Sequence, residues 1–475
     1  MDALTPAVRN ALANNKVRSQ VRGRDVRATL RYWVGNGSTL ETTAHAHRIV
    51  FGSGLAIYRA CILPAIENSE AEVILVTCFW APSQTVTELC ASLRILSNNA
   101  LRRGRKVRVR ICLSSVSLSQ KLSHTRSLDG HIYPPSKWNA QLGLPAPSEL
   151  QGLDMQVKSI FVWPFSVMHS KFVLVDRRKA FLPSCNVSFE NWFEGCIEMN
   201  GGAVLEQFVR FYMEVWARET DRSLPTFGKH VAASSRSSET TRPHGHELLS
   251  SRILSSSAVP AWFLPSPHHR NPHFALPWTS FQKPPRTPLN TCILLLLGLA
   301  EKRILIQTPN LTSPPVLSAL VAALNRGIRV EITTSERLMR LEQLVTAGTT
   351  TRRCVDTLIK QHKYMIRRFV ARRQRGLLRR ALPPGDLRIS YYTPRHPVQN
   401  DPDEPVQSHL KLTAVDDTVA VLGSGNMDRA SWYTSQELGL MLHSEELVAP
   451  ILASLAEAMG GRSNVVYQSM TCSTC

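Results

Sequence analysis

The stretch HSKFVLVD runs from His169 to Asp176, and HLKLTAVD runs from His409 to Asp416. His, Lys and Asp recur at the same spacing in both. Successive side chains of an extended chain alternate between faces, so a His and a Lys two residues apart point the same way. Each copy therefore presents an imidazole and an ammonium group together. The match continues downstream. Ser184 and Asn186 in PSCN stand as far past His169 as Ser424 and Asn426 in GSGN stand past His409. Glu198 in GCIEM and Glu437 in SQELGL fall at nearly the same remove.

The surroundings repeat as well. AEVILVTCFW (71–80) reads as a strand, the segment 83–104 as a helix and RKVRVRICLS (105–114) as a strand. The second half repeats the order with KRILIQTPN (302–310), PPVLSALVAALNRG (314–327) and IRVEITTS (328–335). Gly104 and Gly327 occupy matching helix ends, where a left-handed residue is wanted. Each half adds a further strand, MQVKSIFVW (155–163) or DLRISYYT (386–393), ahead of its His–Lys segment. Strand–helix–strand units predict parallel or mixed sheets covered by helices. The expected fold class is α/β, with two pseudo-symmetric domains sharing one central site. The boundaries read as an N-terminal extension (1–48), a first domain (49–222), a Ser/Pro/His-rich linker (223–258), a second domain (259–460) with a basic helical insertion (351–382), and a tail (461–475).

The doubled pattern resembles the phospholipase D superfamily, marked by H-x-K-x4-D followed by G-S-x-N, commonly twice per chain. The resemblance covers about residues 50 to 450. The second copy fits throughout. The first departs at Pro183, where the family commonly has Gly, which restricts the turn before Ser184. The resemblance implies a metal-independent phosphodiesterase or phosphatidyltransferase, including cardiolipin synthase-like enzymes of lipid metabolism, that works through a phosphohistidine. Its implied catalytic set is His169, Lys171, Asp176, His409, Lys411 and Asp416, with His169 as nucleophile and His409 as acid and base.

The residue types suit that chemistry. Two lysines neutralise non-bridging phosphate oxygens, and the side chains of Ser184, Asn186, Ser424 and Asn426 are candidate donors to the same oxygens. One neutral imidazole can attack phosphorus, and a protonated one can give its proton to the leaving alcohol. Glu198 and Glu437 are expected to orient the imidazoles. Asp176 and Asp416 read as structural support behind the site. The chemistry calls for no metal or other cofactor, and no metal-ligand cluster stands in the sequence.

The chain has 475 residues, 43% of them hydrophobic, and a formal charge of +20. That field favours anionic partners: phospholipid, an anionic membrane surface or nucleic acid. The segment 351–380 is dense in arginine with apolar residues interleaved at helical spacing. It reads either as a solvated basic helix or as one lying on anionic headgroups. Trp163, Phe165, Trp192, Phe193, Trp432 and Tyr433 stand near the motifs, either as core or as lining for acyl chains. IQTPN (306–310) is similar to a strand end of cardiolipin-synthase-like members.

Ten cysteines without regular spacing suggest buried thiols in a reducing compartment. With no apolar signal segment at the N-terminus, the expectation is an intracellular monomer, cytoplasmic or peripheral to a membrane. Two alternatives stay open: a nuclease of the same superfamily, and a catalytically decayed protein that binds anionic lipid or nucleic acid. Presence of both motif aspartates disfavours the tyrosyl-DNA phosphodiesterase branch, which lacks them.

Overall fold

The computed structural model describes residues 4–13, 37–116, 130–162, 166–217, 247–254, 257–267, 283–376, 382–396, 401 and 403–469. The first strands in chain order are β1 (Glu41–Ala44), β2 (Ala46–Gly52), β3 (Glu72–Phe79), β4 (Val107–Ser115), β5 (His131–Ile132) and β6 (Leu153–Ser159). A small hairpin, β7 (Phe161–Val162) and β8 (Ser166–Val167), precedes β9 (Phe172–Val175), β10 (Lys179–Pro183) and β11 (Trp192–Asn200). The remainder are β12 (Ser250–Ile253), β13 (Val259–Ser266), β14 (Arg303–Thr308), β15 (Arg329–Thr334), β16 (Leu387–Tyr392), β17 (Gln407–Ser408), β18 (Leu412–Val415), β19 (Val419–Gly423), β20 (Glu437–His443) and β21 (Ser463–Gln468).

Two large mixed sheets result, and their strand orders correspond. One runs β12-β2-β11-β10-β9-β3-β4-β6-β5, the other β1-β13-β20-β19-β18-β14-β15-β16-β21. In each, three strands run parallel (β3, β4, β6; β14, β15, β16) and the strand after the His–Lys pair lies antiparallel beside the first of them. The α/β class and the pseudo-two-fold plan read from the repeat are what the structure has.

Helices cover the sheets. The principal ones are α1 (Leu4–Ala13), α2 (Gln84–Arg102), α3 (Val204–Tyr212), α4 (Pro288–Leu299), α5 (Pro314–Asn325), α6 (Arg340–Ala347), α7 (Thr351–Gln374), α8 (Arg429–Tyr433) and α9 (Glu445–Ala458). Ser83 caps α2 by accepting from Val86 N, and Leu89, Leu93, Leu96 and Ala100 form its buried stripe. Gly104 and Gly327 end α2 and α5 at φ +67° and +90°. None of the helices among the described residues is long and apolar enough to cross a membrane.

The halves exchange edge strands. β1, from the expected N-terminal extension, pairs with β13 of the second sheet. β12, from the end of the expected linker, pairs with β2 of the first. Residues 250–253 are thus ordered strand, because their backbone groups complete a sheet edge. Residues 223–246, 255 and 256 of the expected linker lie outside the described residues. The core is also continuous across the halves: Phe263 on β13 packs against Phe208 and Phe211 on α3, at ring-centroid distances of 5.0 and 5.8 Å.

Asp176 and Asp416 occupy the turns after β9 and β18, with φ of 52° and 53°. The Asp176 carboxylate accepts from Ser69 Oγ and from the backbone N–H groups of Glu70, Ala71 and Glu72 at 2.8–2.9 Å. The Asp416 carboxylate accepts from the N–H groups of Glu301, Lys302 and Arg303. Seven residues of extended chain, roughly 20 Å, separate each Asp from its His. Their inclusion in the catalytic set is therefore corrected: they tie the start of the first parallel strand to the His–Lys strand. Asp176→Ala strands three backbone donors and should cost roughly 2–3 kcal/mol, read as a lower urea midpoint at unchanged slope.

Candidate active site

Neither His169 nor His409 lies within the regular ladder. Each sits in the extended segment just before β9 or β18, where the backbone pairs with the opposite half. His169 N donates to Gln436 O at 2.7 Å, and His409 N donates to Phe193 O at 2.9 Å. β17 runs parallel to β11 beside His409. This crossing places each imidazole against the carboxylate next in sequence to its backbone partner. His169 Nδ1 meets both oxygens of Glu437 at 2.9 Å, and His409 Nδ1 meets Glu194 Oε1 at 2.7 Å.

Glu194 takes the role expected of Glu198. Glu198 instead lies opposite Arg48 of β2 and faces Arg48 and Lys179 at 3.4 and 3.7 Å. Both glutamates project from the same face of β11, but four residues of strand, roughly 13 Å, separate them. The second half holds three more residues between its Asn and its Glu, where α8 forms, so equal spacing from His is a misleading guide. The signal that finds Glu194 is the apolar strand it opens: E-G-C-I in the first half corresponds to E-L-G-L in the second.

The serines are also reassigned. Ser184 Oγ donates to Glu194 and accepts from Gly195 N at 2.9 Å. Ser424 Oγ donates to Glu437 Oε2 at 2.5 Å and accepts from Leu438 N at 3.0 Å. With their protons committed to the carboxylates, these hydroxyls position Glu rather than hold phosphate. Two crossed chains result: Ser184–Glu194–His409 and Ser424–Glu437–His169. Pro183 does not disturb this plan. Ser184 N donates to Gly195 O and Ser424 N to Leu438 O, both at 2.9 Å. In the second half the same point demands glycine, because Gly423 sits at φ +154° and a Cβ there would meet Leu438 O at 2.1 Å.

Lys171 and Lys411 each donate back to the carbonyl of the preceding His, at 2.9 and 2.6 Å. Both are buried. Each retains two N–H donors for an anion. Asn186 Oδ1 accepts from Phe79 N at 3.3 Å, which leaves its amino group as the donor end. Asn426 donates to Asp428 Oδ2 at 3.0 Å, and its Oδ1 is buried without a partner. IQTPN braces this end of the second half: Gln307 Nε2 donates to Ser408 Oγ, and Thr308 Oγ1 accepts from Met427 N. Of the aromatic residues, Phe193 and Trp432 are core, whereas Trp192 packs its ring 4.8 Å from that of His409. Trp163 and Phe165 lie outside the described residues.

Burial drives the electrostatics. It pushes His409 down to about 3, with Glu194 opposing and Lys411 and Lys171 reinforcing the shift. His169 is lowered for the same reason, opposed by Glu437 and reinforced by both lysines. Burial also lowers Lys411 to about 7, against Glu194 and with help from Lys171. That each half's groups act on the other's marks one polar cluster. Burial works against the charge of Glu194 and Glu437, yet their His and Ser partners outweigh it and hold both below the ordinary carboxylate range. Since Nδ1 faces the carboxylate, each neutral imidazole keeps its proton there and offers Nε2 as a lone pair.

Residues 293–459 match the family described as cardiolipin synthase, PLD-like domain. No curated protein sequence matches the chain. Among solved structures, the chain is similar to phosphatidylserine synthase of Haemophilus influenzae Rd KW20, with 14% identity, a TM-score of 0.53, and coverage of 94% of this chain and 92% of that one. It is also similar to Nuc of Salmonella typhimurium, a phospholipase D family member, with 19% identity, a TM-score of 0.26, and coverage of 38% and 91%. The two sheets and their paired His–Lys segments have the two-domain phospholipase D fold. The family match thus covers the second half, and the structural likeness across both halves is one of fold.

Two outcomes test the site. Glu194→Gln should lower kcat about a hundredfold or more by releasing His409, whereas Glu198→Gln should leave it within about threefold. Acid sensitivity provides the second. His409 titrates lower folded than unfolded, so its contribution to stability is complete above about pH 6.5 and is lost as pH falls toward 3. Urea midpoints of His409→Asn should therefore fall less steeply across that window than those of the parent protein.

Proposed function

We propose that the protein is a phosphodiesterase or phosphatidyltransferase acting on phospholipids through a phosphohistidine. The observation that carries this reading is the pair of crossed Ser–Glu–His chains, which bring two imidazoles and two lysines into one buried cluster. His169 is the proposed nucleophile, being the more open of the two, with 14% of its side chain exposed against 4% for His409.

Binding of the phosphate brings negative charge to a cluster whose imidazoles burial holds neutral, and so favours protonation of His409. His169 Nε2 attacks phosphorus while the bond to the leaving alcohol breaks, and His409 Nε2–H gives that alcohol its proton. Lys171 and Lys411 hold the non-bridging oxygens, with the Asn186 amide beside them. Neutral His409 then takes a proton from water or a second alcohol, whose oxygen displaces the histidine nitrogen. Hydrolysis and transfer differ only in which molecule arrives. The family description of the second half and the two copies in one chain favour lipid over nucleic acid as substrate.

α7 supports contact with an anionic membrane surface. Thr351, Cys354, Val355, Leu358 and His362 form its buried face, while Arg367, Arg368, Arg372 and Arg373 stand exposed. Leu377, Arg379 and Arg380 lie outside the described residues. Reversing the exposed arginines should weaken binding to anionic vesicles, most at low salt.

The decisive assay supplies labelled phosphatidylcholine in chelator with added ethanol. Phosphatidylethanol is the expected product, and His169→Ala and His409→Ala should each lower its formation about a thousandfold. Full turnover by either variant contradicts the two-histidine mechanism. Cleavage of single-stranded DNA with lipid untouched would assign the site to nucleic acid instead.

A further inference from the structure

Helix α6, RLEQLVTA, is built with its apolar side outward. Its one buried residue is Gln343. Leu341, Leu344 and Val345, spaced i, i+3, i+4, are 80%, 43% and 61% exposed. Such a stripe ordinarily faces a core. Met339, which enters the helix, holds a left-handed φ of 52° that only a constrained non-glycine residue keeps.

The inward side of α6 is tied to the site by a buried polar chain. Gln343 Nε2 donates to Asn310 Oδ1 at 2.7 Å, and Gln343 Oε1 accepts from Thr351 N at 2.6 Å. Asn310 donates to Asp428 at 3.4 Å, and Asp428 accepts from Asn426 of the second motif. The helix that carries the apolar stripe is thus linked through two side chains, Asn310 and Asp428, to Asn426 of the second motif. Its rim is basic: Arg337, Arg340, Arg352 and Arg353 are exposed, against Glu336 and Glu342. Glu336 pairs with Arg337 and Arg352, which leaves net positive charge around the stripe.

We propose that α6 is the surface by which the protein docks on an anionic lipid bilayer, with Leu341, Leu344 and Val345 entering the boundary between headgroups and acyl chains. The inference rests on the lipid reading of the site. An apolar stripe ringed by arginine is the composition of an interfacial helix, which sinks its apolar face about 5–10 Å into the bilayer surface.

The test uses the full chain and the variant L341S/L344S/V345S. Each substituted side chain is exposed, so thermal unfolding should be unchanged. Both proteins are floated with vesicles of phosphatidylcholine alone and of phosphatidylcholine with phosphatidylglycerol, and assayed on vesicle lipid and on water-soluble bis(p-nitrophenyl) phosphate. The parent should float with the anionic vesicles. The variant should lose about tenfold or more in that binding and a similar factor in vesicle-lipid turnover, with turnover of the soluble diester intact. A variant that floats like the parent, a parent that does not float, or a parent that pairs with itself through this stripe instead overturns the proposal. Failure to cleave the soluble diester would count against the catalytic reading, while flotation still decides docking.

Discussion

Everything in this molecule turns on a carboxylate in one half holding an imidazole in the other. Glu194 reaches His409 and Glu437 reaches His169, and each glutamate is itself fixed by the serine at the end of the preceding strand in its own half. The consequence is that neither half contains a complete site. Backbone bonds from each His to the opposite half set the crossing, and exchanged edge strands β1 and β12 reinforce it. A chain that separated its halves would lose the orientation of both histidines at once.

The same burial that organises the cluster sets its charge. Two lysines and two imidazoles share a volume nearly closed to water, and desolvation lowers the proton affinity of both imidazoles and of Lys411. The resting site is thus poised with neutral imidazoles and unused lysine donors. In the mechanism proposed above, an arriving phosphodiester supplies the missing negative charge, which lets one imidazole regain a proton while the other remains a nucleophile.

Much of this was legible in the sequence. β3, β4, β14 and β15 are continuous β-rich runs, and Gly104 and Gly327 mark the helix ends between them. The two His–Lys pairs needed only the two-residue period of extended chain. What failed was position along a strand. Glu194 and Glu198 share one face of β11, so periodicity cannot separate them, and the α8 insertion offsets the two halves. The serines looked like phosphate donors because their nearest acid was misplaced. Strand exchange was invisible for a different reason: β1 and β12 are four-residue edges whose partners lie in the other half, and local composition carries no record of that pairing.

The central claim is that His169 and His409 act on one phosphorus atom, each from its own half. The most direct measurement is rapid quenching of His409→Asn with a diester whose leaving group needs no proton, and then peptide mass spectrometry. The proposed mechanism predicts a phosphoryl adduct that accumulates on His169 alone. Turnover without any adduct, or an adduct on another residue with His169 unmodified, would contradict it.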